Sequence, residues 1–263
     1  MQEPRPIPPP ALHGMEGWEA HVAWSFVPEA TTWRLEAPGG EVRYVKVARL
    51  GREPGLRSEG ERMVWAAAHL PVARVHAWGS EGAEEWLVTQ GMPGVDATRH
   101  PLRAEPARLV SLLAAGLRRF HAVPARDCPY RSPVAAAVDT ARLRVRDGLV
   151  DPSRDLHPDH GARTAAEALD LLEALRPEEE EDLAVCHGDY CLPNVLLDTT
   201  GVRGYVDLGR LAVADRWWDL AIATWSCTWN LGPGWEDAFL EAYGVRRDAR
   251  KIAFYRLLYD LLG

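Results

Sequence analysis

The segment His187-Gly188-Asp189-Tyr190-Cys191-Leu192-Pro193-Asn194 is the most informative stretch of this chain. An apolar run at residues 183–186 precedes it and predicts a short strand. A second strand-like run follows at residues 195–198. The segment is therefore predicted to be a loop between two strands, with Asp189 near its start and Asn194 at its end.

A second acidic motif follows closely. Residues 204–206 form another short strand-like run, which ends at Asp207-Leu208-Gly209-Arg210. Adjacent hairpin strands would bring Asp189, Asn194 and Asp207 to one end of a sheet. Phosphoryl transfer needs such a set, because metal ions held by carboxylate and amide oxygens neutralise the charge that develops on the transferred group. We assign Asn194 and Asp207 as magnesium ligands and Asp189 as the group that orients and deprotonates the attacking hydroxyl.

The amino-acid composition limits the kinds of molecule that the chain is expected to bind. The net charge is −8, which argues against a nucleic-acid partner and suits a cationic small molecule, although it also serves solubility alone. The four cysteines show no metal-binding spacing and are expected to be reduced and mostly buried. We find neither a signal-peptide pattern nor an apolar run of membrane length, so the expected location is the cytoplasm, without a membrane partner.

The first half of the chain is predicted to be rich in strands. Strands are predicted at residues 22–35, 41–48, 72–78 and 86–89, with one helix at residues 58–69. Ser58 is the expected N-cap of that helix. The turn residues Gly91-Met92-Pro93-Gly94 make the clearest break. We therefore expect a first domain at residues 1–93, in which the proline-rich residues 1–10 form a disordered or extended arm.

The second half, residues 94–263, is predicted to be mainly helical. Apolar residues recur at helical spacing over residues 106–121, 162–175, 237–243 and 251–262. Residues 147–161 contain prolines and acids and predict a surface loop. The fold class is therefore α+β, with an antiparallel sheet in the first domain and helices in the second.

These motifs resemble the aminoglycoside phosphotransferase family, especially its 3'-hydroxyl enzymes. The resemblance rests on CHGDYCLPNVLLD (residues 186–198), GYVDLGRLAVADRWWDLA (residues 204–221) and KIAFYRLL (residues 251–258). His-Gly-Asp in place of His-Arg-Asp argues against a protein kinase. The resemblance implies a two-lobed, protein-kinase-like fold, ATP as the donor with GTP as an alternative, Mg²⁺ as the metal, and a cationic aminoglycoside as the acceptor.

The same resemblance implies a set of nucleotide-binding residues. Lys46, between two valines, corresponds to the family's strand lysine that binds the α- and β-phosphates, and Glu59 to the helical glutamate that holds it. The carbonyl of Gln90 and the amide of Met92 correspond to the backbone groups that meet the adenine edge.

The phosphate-covering loop departs from the family pattern. The aligned run is Phe26-Val27-Pro28-Glu29, in which Pro28 has no amide hydrogen to donate. Ser25 lies close enough in sequence to substitute. Elsewhere, His187 and Asp219 correspond to residues that support the catalytic loop rather than react.

The acceptor side is where the resemblance is weakest. The family binds ammonium groups with carboxylates from three regions, and here Asp155, Asp159 and Asp260 are the candidates. Trp229 stands where an acid is expected and is a candidate to stack on a sugar or amine. Arg210 is a candidate contact for the acceptor or the phosphate.

The lost acids leave alternatives open. One is a kinase of the same fold that acts on a sugar, a choline-like amine or a peptide antibiotic. Another is a nucleotide-binding pseudoenzyme, although Lys46, Asp189, Asn194 and Asp207 are all present. The sequence decides neither between antibiotic resistance and antibiotic biosynthesis nor between a monomer and a dimer.

Overall fold

The chain forms two compact units in a computed structural model that describes residues 3–26, 29–161, 163–178 and 181–263. The first unit runs to Val95 and also contains Leu196–Asp198 and Arg203–Arg210. The second unit contains Asp96–Val195, Thr199–Val202 and Leu211–Gly263. The boundary thus lies two residues beyond the predicted one. The first unit also takes in two short later segments, because the chain comes back to it.

The first unit is built on a five-stranded antiparallel sheet with the order β1-β2-β3-β5-β4. These strands are β1 (Glu19–Phe26), β2 (Ala30–Glu36), β3 (Val42–Arg49), β4 (Val75–Glu81) and β5 (Glu84–Gln90). Residues alternate between the two faces of a strand. Val45 and Val47 therefore enter a fully buried cluster, while Lys46 between them faces the opposite side.

Helix α1 (Leu56–Ala66) starts earlier than predicted. Ser58 is not its N-cap, because Gly55 occupies that position without a side-chain bond. The carboxylate of Glu85, on β5, instead accepts a hydrogen bond from the Leu56 amide at 2.9 Å. A distant carboxylate satisfies one of the unpaired amides of the first turn, which a search of neighbouring residues for a cap cannot detect.

The N-terminal arm is not disordered in its described part. The Arg5 amide donates to Thr31 Oγ1 at 3.0 Å, and Trp33 Nε1 donates to the Arg5 carbonyl at 2.8 Å. Ile7 then packs on the buried cluster of the sheet, next to a short 3₁₀ helix at Pro9–Leu12. The prolines favour an extended chain, and the apolar residues between them anchor it to the sheet.

The second unit is mainly helical. Its helices are α2 (Pro106–His121), α3 (Val134–Arg146), α4 (Pro152–Asp155), α5 (Ala165–Leu175), α6 (Trp217–Leu231), α7 (Glu236–Tyr243) and α8 (Ala249–Leu262). The predicted helix at residues 106–121 is confirmed without a shift at either end. The resemblance implies a helix that starts near Asp219, and α6 is that helix. Its first eleven residues are all buried, so it carries no amphipathic pattern.

The strands around residues 187–194, which we call the catalytic segment, lie in two different small sheets. The remaining strands are β6 (Val95–Asp96), β7 (Leu183–Cys186), β8 (Val195–Leu197), β9 (Val202–Tyr205) and β10 (Ala212–Asp215). Strand β7 pairs antiparallel with β10, and β8 is a neighbour of β9 in another small sheet. The two strands that flank the segment therefore belong to different sheets. The neighbouring strands predicted from the sequence occur as β8 and β9, while β7 lies in the other sheet, since sequence adjacency does not determine strand partners.

The four cysteines have the predicted surroundings. Cys128, Cys186 and Cys227 are buried free thiols, and Cys191 is half-buried, as expected. Burial raises the pKa of Cys227 to about 12, so its thiol stays protonated. Over the described residues, no helix combines the length and the apolar character needed to cross a bilayer.

Candidate active site

Lys46 lies in a three-residue cluster of charges in the first unit. Its ammonium donates to Glu59 Oε2 and to Asp207 Oδ1, both at 2.9 Å. Glu59 comes from α1 and Asp207 from the segment after β9. The pair of Lys46 and Glu59 predicted from the sequence is thus formed, and Asp207 joins it as a second carboxylate.

The electrostatics of this cluster keep Lys46 charged. Burial lowers the pKa of Lys46, but the charges of Asp207 and Glu59 outweigh that effect and raise the pKa above its usual value. Burial raises the pKa of Glu59, and the Lys46 ammonium opposes this rise. The strand therefore presents a permanent cation on this face of the sheet.

Asp207 has an unusual backbone. Its φ is +62°, and no other non-glycine residue in the described part of the chain has a positive φ. Aspartate tolerates this left-handed conformation better than most residues. Gly209 follows closely, and a Cβ there would lie 2.9 Å from Pro54 Cγ. The tight turn holds the Asp207 carboxylate at the Lys46 ammonium with 45% of the side chain still exposed.

The predicted adenine-binding residues continue from the end of β5. The Gln90 side chain donates to the Val42 carbonyl at 3.0 Å and lies 2.8 Å from His76 Nε2. The thioether of Met92 packs on Gly204, where a Cβ would come within 2.7 Å of the Met92 methyl carbon. These contacts hold the side chains of Gln90 and Met92 in place along this segment.

Ser25 and Arg210 are two further residues that the sequence analysis assigned to substrate contacts. Ser25 Oγ lies 3.1 Å from Thr31 Oγ1 on the neighbouring strand. Arg210 is half-buried and directly follows Gly209. Val27 and Pro28, in the predicted phosphate-covering loop, lie outside the described residues.

The catalytic segment of the second unit is held by one buried carboxylate. Asp219, near the start of α6, is fully buried. Its Oδ2 accepts from the His187 amide at 2.7 Å, and its Oδ1 accepts from the Gly188 amide at 2.8 Å. Gly188 has a φ of +82°, which lets the chain turn sharply after β7. Asp219 thus has the supporting position that the sequence predicted.

His187 has a structural position as well. Its ring is fully buried, and its Nδ1 accepts a hydrogen bond from the Asp189 amide at 3.3 Å. Trp218 Nε1 donates to the Gly188 carbonyl at 3.0 Å. The backbone on both sides of Gly188 is therefore fixed before it reaches Asp189.

Both carboxylate oxygens of Asp189 accept hydrogen bonds. Asn194 Nδ2 donates to Asp189 Oδ2 at 2.9 Å and to the Asp189 carbonyl at 3.0 Å. The Tyr259 hydroxyl donates to Asp189 Oδ1 at 3.1 Å. Sequence reasoning missed Tyr259 as a partner of Asp189. The residues are 70 positions apart, so no local pattern connects them.

A further layer of contacts supports Asp219. His121 Nε2 lies 3.0 Å from Asp219 Oδ2, and His121 Nδ1 lies 2.7 Å from the Tyr243 hydroxyl. Burial raises the pKa of Tyr243, so its phenol stays protonated near neutral pH. These residues also escaped sequence reasoning, since each lies on a different helix from Asp219.

The predicted acceptor acids are largely engaged within the protein. Asp260 has a side chain only 9% exposed, and its Oδ2 accepts from the His157 amide at 2.7 Å. Asp155 Oδ2 accepts from the Asp151 amide at 2.8 Å. These two carboxylates therefore hold the loop at residues 151–161. Sequence cannot distinguish a buried loop anchor from a ligand-binding acid.

Asp159 and an aromatic group remain accessible in this region. Asp159 is 59% exposed, and its Oδ2 accepts from Trp225 Nε1 at 2.9 Å. The rings of Trp225 and Trp229 have their centroids 4.6 Å apart, and the ring of His157 lies 4.6 Å and 5.1 Å from them respectively. Trp229 is 48% exposed. The loop and α6 therefore offer one carboxylate beside an aromatic surface.

The model of a family described as "Phosphotransferase enzyme family" matches residues 29–255. The chain belongs to this family. The predicted resemblance is confirmed by relatives of this phosphotransferase. One is an aminoglycoside 3'-phosphotransferase of Streptomyces fradiae, which is 40% identical over 226 residues, covering 82% of this chain and 84% of the relative.

Solved structures also resemble this phosphotransferase. A crystal structure of an aminoglycoside 3'-phosphotransferase of type VIII has a TM-score of 0.86 and 36% identity, over 96% of this chain and 98% of that one. Aminoglycoside phosphotransferase APH(3'')-Id of Streptomyces rimosus, in complex with ADP and streptomycin, has a TM-score of 0.76 and 28% identity, over 96% of both chains. The predicted kinase-like α+β fold is confirmed.

Proposed function

We propose that this phosphotransferase moves the γ-phosphoryl group of ATP to a hydroxyl of an aminoglycoside, with the 3'-hydroxyl as the site. The observation that carries the proposal is the Asp189 carboxylate, held on both oxygens at the end of a strand, with Asn194 beside it. Two relatives, which are 40% and 37% identical to this chain, are named aminoglycoside 3'-phosphotransferase.

Asp189 is the proposed base. It orients the acceptor hydroxyl and takes its proton as the new oxygen–phosphorus bond forms and the bond between the γ-phosphorus and the bridging oxygen of ATP breaks. A carboxylate with fixed oxygens suits this role, because the direction of its lone pairs is set before the substrate arrives. His187 and Asp219 position the backbone that carries Asp189.

The residues proposed for Mg²⁺ offer the ligand atoms that a hard cation prefers. Asn194 donates through Nδ2 to Asp189, and its Oδ1 accepts no hydrogen bond from the described residues. Asp207 contributes a half-exposed carboxylate. Each group offers an oxygen that suits Mg²⁺, and the ion would neutralise charge on the phosphates.

The remaining nucleotide contacts are assigned to the first unit. Lys46 is proposed to bind the α- and β-phosphates, because its ammonium stays charged and Glu59 fixes its position. The Gln90 carbonyl and the Met92 amide are proposed to bind the adenine edge, and the Ser25 hydroxyl a phosphate. GTP is an alternative donor that these backbone contacts do not exclude.

The acceptor contacts are assigned to the exposed groups. Asp159 is proposed to bind an ammonium group and Trp229 to stack on a sugar ring or an amine. Arg210 is proposed to contact the acceptor or the transferred phosphate. Asp155 and Asp260 act indirectly, by holding the loop that carries Asp159.

A second candidate is a kinase of the same family that acts on another small hydroxyl compound. The specific observation in its favour is that Asp260 and Asp155 are engaged within the protein, which leaves fewer carboxylates for a polycation. Each lost charge-assisted contact weakens acceptor binding by about 1.5–3 kcal/mol.

The experiment that separates these candidates is an acceptor panel. Purified enzyme is incubated with ATP or GTP, Mg²⁺ and kanamycin, neamine, streptomycin, choline or ethanolamine, and the products are analysed by mass spectrometry and ³¹P NMR. We expect one added phosphate on kanamycin and neamine, at the 3'-hydroxyl. Phosphorylation of choline or ethanolamine without any aminoglycoside product would favour the second candidate.

A further inference from the structure

Tyr259 is the tyrosine that contacts the proposed base. It lies on α8, the last helix of the chain. Its hydroxyl donates to Asp189 Oδ1 at 3.1 Å and so contacts the proposed base directly. The C-terminal helix therefore contributes a hydroxyl to the proposed reaction centre.

The two donors to Asp189 leave room for the acceptor. An ionised carboxylate oxygen has two lone-pair directions, and each oxygen of Asp189 accepts one side-chain hydrogen bond. Asn194 fixes Oδ2 and Tyr259 fixes Oδ1, so rotation of the carboxylate about its last bond would break both hydrogen bonds. The remaining lone pair on each oxygen is held in a defined direction, which is the requirement for orienting a hydroxyl.

Helix α8 gives Tyr259 a rigid base. Its apolar residues Phe254, Leu257, Leu258 and Leu261 are fully buried, and the helix packs on α3, α5 and α6. The next residue, Asp260, holds the loop at residues 151–161 through the His157 amide. One turn of α8 therefore fixes both the base and the loop that carries the accessible acid Asp159.

We propose that Tyr259 is a positioning residue for Asp189 in this enzyme. Its hydroxyl holds Oδ1 of the carboxylate, while Asn194, which is also assigned to Mg²⁺, holds Oδ2. The effect is on the transfer step and not on nucleotide binding. The inference rests on the proposed function, because it assumes that Asp189 orients the acceptor hydroxyl.

The test begins with Tyr259→Phe, which removes one oxygen atom and keeps the ring. We expect kcat for acceptor phosphorylation to fall about tenfold, because one hydrogen bond to a charged group is lost. The KM for ATP should stay within about twofold of the wild-type value, since no nucleotide contact changes. The melting temperature should fall by no more than about 3 °C.

A matched control removes the same kind of group, a tyrosine hydroxyl, from the same helix. Tyr255→Phe also removes a hydroxyl from α8, but that hydroxyl contacts Asp215 and not Asp189. This control should lower the melting temperature while kcat stays within about twofold of wild type. Equal losses of kcat in the two variants would overturn the proposal, because they would show a general effect of disturbing α8.

A double-mutant cycle separates positioning from other effects. In an Asp189→Asn background, Tyr259→Phe should change the residual rate by less than about twofold, because the group that Tyr259 positions is already altered. An independent tenfold loss in that background would overturn the proposal. So would wild-type kcat in Tyr259→Phe alone.

These outcomes are distinguishable from failure of the proposed function. If wild-type enzyme and Asp189→Asn have equal rates, the assignment of the base fails, and the role of Tyr259 fails with it. If the wild-type enzyme prefers a different acceptor, the same cycle is measured with that acceptor and keeps its meaning. A tenfold loss in Tyr259→Phe that appears only when Asp189 is intact supports the proposal for any hydroxyl acceptor.

Discussion

Lys46 and Asp189 are the two charged groups on which the proposed chemistry depends, and they are stabilised in opposite ways. Lys46 lies against two carboxylates, each at 2.9 Å. Asp189 accepts hydrogen bonds from two neutral groups, an amide and a phenol. No basic side chain among the described residues lies within ion-pair distance of Asp189.

The contrast indicates what each group is suited to do. A cation held by two carboxylates is fixed in place and keeps its proton, so it suits permanent binding of phosphates. A carboxylate held only by neutral donors has no cation paired with it, so it suits the acceptance of a proton. Substitutions at these and other charged groups test whether this difference in partners corresponds to a difference in role.

The largest effect is expected for Asp189→Asn. Because the amide cannot accept the acceptor's proton, kcat should fall by about 10²–10⁴. The KM for ATP should change little. Steady-state kinetics with a coupled assay for ADP provides the measurement. Asp198→Asn is the matched control, since Asp198 pairs with Arg203, and its kcat should match wild type.

The next effect is expected for Asp219→Asn. Asp219 accepts hydrogen bonds on both oxygens, so an amide group would place a donor against either the His187 or the Gly188 amide. The free energy of unfolding should fall by about 2–4 kcal/mol, with a parallel loss of kcat. Denaturant titration measures the first quantity. Asp237→Asn, an exposed acid on α7, should change neither quantity, and an unaltered stability in Asp219→Asn would contradict the support role.

A smaller effect is expected for Lys46→Met. The apolar side chain keeps similar length but removes the cation, so kcat/KM for ATP should fall about 10- to 100-fold. In the wild-type protein the raised pKa of Lys46 means that the stabilisation from its charge is complete below the unfolded pKa and is lost only as pH rises through the folded pKa. The KM for ATP should therefore stay flat from pH 7 to about pH 9. A rise in KM over that range would show that Lys46 loses its proton early.

The smallest effect is expected at Glu85, a second carboxylate bonded to a neutral donor. Burial raises the pKa of Glu85, although the Leu56 amide opposes the rise. A carboxyl group with a raised folded pKa contributes stability below its unfolded pKa, and this contribution is lost as pH rises through the folded pKa. Glu85→Gln should therefore gain melting temperature relative to wild type between pH 4 and pH 7, by about 1–3 °C. Thermal denaturation at several pH values across that range measures the difference in melting temperature. A difference that stays constant with pH would show that the pKa of Glu85 is not raised.

Much of the fold could be predicted, because it depends on local patterns. The alternation around Lys46 and the helical spacing of residues 106–121 each determine an element without reference to distant residues. The Asp189 segment was located because strand, turn and polar residues follow one another along the chain. The local structure of such a short motif follows from its own residues, without contacts to distant parts of the chain.

The remaining features depend on contacts between distant parts of the chain. The pairing of β7 with β10, the cap that Glu85 provides for α1 and the bond from Tyr259 to Asp189 each join residues about 30 to 70 positions apart. Asp260 has the residue type of a ligand-binding acid but the burial of an anchor. Composition and spacing do not encode burial at single positions, so these assignments required the structure.

The three-residue cluster at Lys46 also bears on inhibitor discovery. A compound that offers Lys46 a neutral acceptor would have to displace a carboxylate already bound at 2.9 Å, and it would gain little affinity from the exchange. A compound with its own anionic group would replace Asp207 without a loss of charge compensation, because that carboxylate is the more exposed of the two. Screening collections for this enzyme should therefore be enriched in compact anionic fragments.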